Sequence, residues 1–165
     1  MAFSESGVIG VDLTKVVAGS GSSSDEGNEF ALGSRVRAKD GQEYIYVHAA
    51  TAITVYDAVG IDENYEASAL TKAMADDGWM IGFAQTAVAD NEFAWVAKEG
   101  SNITVSVLTS CAADVSLYTS GTAGKLDDTS ASQTKINGVT AVAAATSGTS
   151  PVECIAISPY PELAA

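Results

Sequence analysis

Basic residues are scarce in this chain. Eight lysines and arginines face 21 aspartates and glutamates, a formal net charge of −13 over 165 residues. Such a surface repels phosphate backbones and anionic bilayers alike, so neither nucleic acid nor membrane is an expected partner. Histidine occurs once, as His48, between Val47 and Ala49 in a strand-like pattern. A hydrolytic triad needs a histidine beside an activated serine or cysteine, and no G-x-S-x-G motif is present. Cysteine is limited to Cys111 and Cys154, far apart and without metal-ligand spacing. They read as two small buried hydrophobes; a disulfide requires the fold to bring them together, and a reducing cytosol opposes it. No run is long and apolar enough to span a bilayer. The start, MAFSESGVIGVDL, lacks the basic end and apolar stretch of a signal peptide, which points to synthesis in a cytosol. Carboxylates are plentiful at 62–66, 76–77 and 127–128, but none fits a D-x-[DN]-x-[DN]-G calcium loop, and nothing singles out a pair for glycoside hydrolysis. No G-x-x-x-x-G-K-[ST] loop is present to hold phosphates. The expectation is no catalytic residue, no cofactor and no metal.

What the chain does have is pattern. Apolar residues make up 47%, enough for one domain with a real core. Ile81, Phe83 and Ala87 fall on one face of an alternating stretch, as do Phe93, Trp95 and Ala97, and then Ile103, Val105 and Val107. Period-2 alternation predicts half-buried antiparallel strands. Residues 89–91 supply one turn and 99–102 a second. Ile81, Phe83, Phe93, Trp95, Val105 and Val107 are the predicted core. Upstream, Phe30, Leu32 and Val36 share a face opposite Arg35 and Arg37, and Asp40-Gly41 marks a hairpin. In the next strand Ile45 and Val47 are predicted to face the core. That leaves Tyr44, Tyr46 and His48 on a second face, open to a neighbour or covered by the chain itself. Residues 53–56 and 58–61 read as short strands, and 67–75 as a helical turn or a strand running into a short helix. Residues 135–142 and 152–157 read as closing strands, after which Pro159 and Pro161 are expected to end pairing.

Residues 1–29 differ. Gly19 opens a Gly/Ser-rich linker, and Ile9, Val11 and Leu13 form a small apolar strip. This segment reads as an N-terminal arm that docks on something, or as a frayed end. Residues 30–165 form the body, ending in an extended tail. The fold class is therefore all-β, mainly antiparallel: a small β-barrel or sandwich with one or two short helical turns and an extended N-terminal arm.

Five motifs in order resemble the capsid decoration (cement) proteins of tailed bacteriophages. They are FALGSRVR at 30–37, YDAVGIDEN at 56–64, IGFAQ at 81–85, ADNEFAWV at 89–96 and LYTSGTAGKL at 117–126. The likeness covers about residues 30 to 157. It implies a barrel-like, often trimeric domain on the outer surface of an icosahedral head, made in the host cytoplasm. Such a protein bridges major capsid subunits and performs no chemistry. Its expected partners are the major capsid protein and further copies of itself. Ile9, Val11, Leu13, Tyr44, Tyr46 and His48 are the candidate partner-binding residues. The competing readings are a secreted or surface β module that binds carbohydrate or protein, and a small β enzyme with a clefted carboxylate pair.

Overall fold

The computed structural model describes residues 11–19, 29–38, 41–146 and 150–163. The strands are β1 (Val17–Ala18), β2 (Arg35–Arg37), β3 (Glu43–Ala49), β4 (Ala58–Ile61) and β5 (Glu66–Ala69). The helix α1 (Lys72–Asp76) follows. Then come β6 (Met80–Ala84), β7 (Glu92–Val107), β8 (Ser116–Thr119), β9 (Leu126–Asp127), β10 (Lys135–Ala141) and β11 (Ser150–Pro161). The chain is all-β, and its pairings are antiparallel except β3 with β5 and β7 with β9.

The pairings close two rings that share β7. In the first, β7 pairs β6, β6 pairs β4, β4 pairs β5, β5 pairs β3, and β3 returns to β7. In the second, β7 pairs β9, β9 pairs β8, β8 pairs β10, β10 pairs β11, and β11 returns to β7. Closure removes exposed strand edges from both rings. The first half of β7 serves ring one and the second half ring two: Glu43 lies opposite Glu99, and Ala156 opposite Gly100.

This sharing overturns the turn predicted at 99–102. The chain bends there without reversing. Gly100 sits at φ +137° and Asn102 at φ +59°, conformations that kink a strand. Side chains replace the ladder bonds lost at the kink. Gln42 Nε2 donates to the Ser101 carbonyl at 2.8 Å and the Asn102 carbonyl at 3.3 Å. Gln85 Nε2 donates to the Thr104 carbonyl at 3.0 Å, and its Oε1 accepts from the Thr104 amide at 3.3 Å. A side chain at 100 would meet Gln42 Cα at 2.8 Å, so glycine is required both by φ and by space.

Two apolar clusters result. Ring one is filled from within by small aliphatics, among them Ile45, Val47, Val59, Ile61, Ala94 and Val96. A second cluster begins on the outer face of that ring with Tyr46, Phe93 and Trp95. It continues into ring two through Ile103, Val105, Leu117, Leu126, Ile136 and Cys154. All six predicted core residues are buried in this second cluster.

Other expectations are corrected or refined. Ala87 is exposed and lies beyond β6. Of residues 53–56 only Ile53 pairs, in a single bridge to Val88. The stretch 67–75 is a strand running into a short helix, which Thr71 caps through its hydroxyl to the Met74 amide. Pro159 and Pro161 do not end pairing. Tyr160 lies opposite Asn137 and Pro161 opposite Ile136, and the Glu162 amide reaches the Lys135 carbonyl at 2.8 Å. A bulge absorbs the irregularity: Ser158 has φ +44°, and Gly138 on β10 comes so close that a Cβ there would sit 2.2 Å from the Ile157 carbonyl oxygen.

Candidate functional site

Of the candidate partner-binding residues, Ile9 lies outside the described residues. The face carrying Tyr44, Tyr46 and His48 is not open: all three are buried in the chain's own core. β3 is covered on both sides. Its inward residues fill ring one, and its outward residues are roofed by the segment before β2. Phe30 packs edge-on to Tyr46 at 5.3 Å and to Trp95 at 5.2 Å, and His48 lies 4.9 Å from Phe93. Val11 and Leu13 are half-buried against the same cluster, and Val17 of β1 pairs with Phe93. The described part of the N-terminal segment, 11–19, thus lies on its own body.

The aromatic cluster is well packed but not fully satisfied. Tyr46 Oη, Trp95 Nε1 and His48 Nδ1 are buried without a hydrogen-bond partner. Glu66 Oε1 is 3.9 Å from His48 Nδ1, beyond hydrogen-bond length. Burial pushes the Tyr46 phenol above its ordinary pKa. Beside the cluster is a cavity of about 220 Å³, walled by Val11, Lys15, Glu29, Phe30, Tyr46 and Trp95. Lys15 and Glu29 pair across it.

Other polar groups are spent on structure. The Asp57 carboxylate is buried and pairs with Lys125, tying the entry of β4 to the loop between β8 and β9. Sequence reading missed this pair, because the two residues are 68 positions apart and each looks like an ordinary turn residue. An open groove of about 580 Å³ is lined by Lys72, Asp76, Tyr118, Thr134, Lys135 and Glu162. Lys72 and Thr134 both bond Asp76 there, which lowers the Asp76 pKa, chiefly through Lys72. The charged and polar groups at that end of the groove already satisfy one another. Cys111 and Cys154 are free and buried. Burial raises their pKa values to about 11 and about 12, so neither is a nucleophile at neutral pH. Among the described residues, no cluster of metal-ligating side chains converges and no helix is long and apolar enough to cross a membrane.

What the surface offers instead is an apolar strip. Among the described residues, the exposed large hydrophobics are Ile157 (70% exposed), Leu163 (62%), Tyr160 (58%), Val142 (46%) and Ile155 (44%). All five belong to β11, its end, or the residue just past β10. Along β11, Cys154 and Ala156 point inward, while Ile155 and Ile157 point outward. This inversion explains why sequence reading overlooked the strip. Large apolar residues suggest the core, yet the inward positions flanking Ile155 are small, Cys154 and Ala156, and Ala156 lies opposite Gly100, where β7 bends. The signal available in the sequence was the pairing of small with large apolar residues in VECIAI, which marks a strand apolar on both faces. Compared with known proteins, the chain matches no family model and no curated protein.

Proposed function

We propose that this is a non-enzymatic structural protein of a virion. It binds the outer surface of a tailed-phage head and ties neighbouring major capsid subunits together against the pressure of packaged DNA. It acts there as a homo-oligomer, a trimer by the resemblance. The observation that carries the reading is the apolar strip of Ile155, Ile157 and Tyr160, set on one wall of an otherwise well-covered acidic body. A contiguous apolar patch rimmed by polar residues marks a surface that meets another protein. The charge of −13 suits display at high density, because copies repel at long range and stay soluble.

Two observations weigh against the secreted carbohydrate-binding alternative. The two cysteines are unpaired, and the Lys72–Asp76–Thr134 end of the polar groove is already bonded within itself. The test is to add the purified chain to assembled heads that lack it. Co-sedimentation with the heads and a rise in their heat resistance are expected. Failure to bind heads, with capture on a glycan array instead, contradicts the proposal.

A further inference from the structure

We infer that the outer wall of ring two, centred on Ile155, Ile157 and Tyr160 of β11, is the face that meets the shell. Its occupant is a different protein with an apolar centre and a basic rim, not a second copy of this chain. The inference rests on the decoration reading above and names the contact surface within it.

The wall is built as an interface. Ile155 lies opposite Thr140, and Tyr160 opposite Asn137, so polar residues of β10 border the strip. Val142 continues it, with its amide bonded to the Glu153 carbonyl at 2.8 Å. The backbone under Ile155 is held by ladders to β10 and to β7, and that under Tyr160 by β10. Strand pairing thus limits the freedom lost on binding, which favours affinity.

Charge and area decide the occupant. Glu153 is exposed on the same side of β11 as Ile155, and Glu162 is exposed beyond Tyr160. Glu99 accepts from the Ser158 hydroxyl at 3.0 Å at the bulge and pairs with Arg37 at 3.6 Å, so among the described residues the unpaired rim charge is that of Glu153 and Glu162. Lys135 lies at the Tyr160 end of the strip, where its carbonyl accepts from the Glu162 amide. Two copies meeting through this wall bring the exposed Glu153 and Glu162 of one against those of the other, and like charges across an interface oppose association. The area argues the same way. Val142, Ile155, Tyr160 and Ile157 are 44–70% exposed, and even an aromatic side chain buries only about 150–250 Å². That falls short of the about 800 Å² per partner of a standard stable interface. A small apolar centre with an acidic rim fits a basic-rimmed partner that presents many copies in a fixed lattice, where several weak contacts add.

The experiment uses the full chain, wild type and Ile157→Asp, with Tyr160→Ser as a second variant that introduces no charge. Binding to assembled heads is measured by co-sedimentation at low and high salt, and the free proteins are examined by analytical ultracentrifugation and thermal melting. The expected result is unchanged melting, unchanged free-protein sedimentation, and head affinity lowered at least about tenfold in both variants. Wild-type binding should weaken as salt rises. If wild type binds heads and both folded variants bind equally well, the wall is not the contact, and the inference falls while the decoration reading stands. If the variants change self-association and leave head binding intact, the occupant is a second copy and the inference is overturned. If wild type binds no heads, the decoration reading fails, and the inference with it.

Discussion

Ring one and ring two share a strand but are finished differently on the outside. The outer wall of β3 and β7 in ring one carries Tyr46, Phe93 and Trp95, and Val11, Leu13, Val17 and Phe30 pack against that cluster. The outer wall of β11 in ring two carries Ile155, Ile157 and Tyr160, and among the described residues nothing covers it. Both walls are apolar, yet only one has been closed by the chain itself. Apolar residues on an outward face therefore do not by themselves mark a contact surface. What matters is whether another part of the chain lies over them. Over the wall of ring one lie Val11, Leu13 and Phe30.

Matched substitutions on the two walls break or sharpen this contrast most sharply. Trp95→Ala removes a buried ring packed against Phe30 and Tyr46, and should cost about 3–5 kcal/mol in urea denaturation. Tyr160→Ala, on the bare wall, should stay within about 0.5 kcal/mol of wild type. Equal losses at the two sites erase the distinction.

The junction of the rings is the next place to press. Lys125→Met leaves the buried Asp57 carboxylate unpaired and should cost about 3 kcal/mol, read by the same denaturation. A neutral outcome means the pair is solvated and does not tie ring one to ring two. Gly100→Val, at the kink, forces a β-branched side chain to φ +137° and onto Gln42. A loss of about 2 kcal/mol is expected, together with faster hydrogen exchange at the Thr104 amide. Unchanged stability argues that the strand is not bent as described.

A further effect is one of pH and belongs to ring two. Cys111 and Cys154 hold their protons more tightly folded than unfolded, with pKa values raised to about 11 and about 12 by burial. Above the ordinary thiol range the unfolded chain holds fewer protons, so stability should fall as pH rises from about 9 toward 11. Below that range the contribution is complete. Replacing both cysteines by alanine should flatten this alkaline slope. An unchanged slope places its origin in other groups.

The sequence made much of the fold legible, and where it misled, the physics is specific. Period 2 found the core strands because Phe83, Phe93, Trp95 and Val105 alternate with smaller or polar neighbours. The same pattern suggested a turn at 99–102, since Gly100 and Asn102 suit a reversal and a kink equally well. The choice between them depends on Gln42 and Gln85, distant residues that bond the bent backbone. Alternation marks Tyr44, Tyr46 and His48 as a second, amphipathic face, but its cover comes from Phe30 and residues 11–17, which strand periodicity does not report. The strip on β11 was hidden by the habit of placing large residues inside. Pro159 and Pro161 concealed it further, by suggesting that pairing had ended.

The most direct test of the central claim is an electron cryomicroscopy reconstruction of heads carrying this protein, at a resolution that orients the two rings. The expected density has β10 and β11 against the shell, with Ile157 and Tyr160 buried between the body and the capsid subunits and the aromatic wall of ring one turned away. Density that places ring one on the shell, or leaves Ile157 and Tyr160 facing solvent, contradicts it.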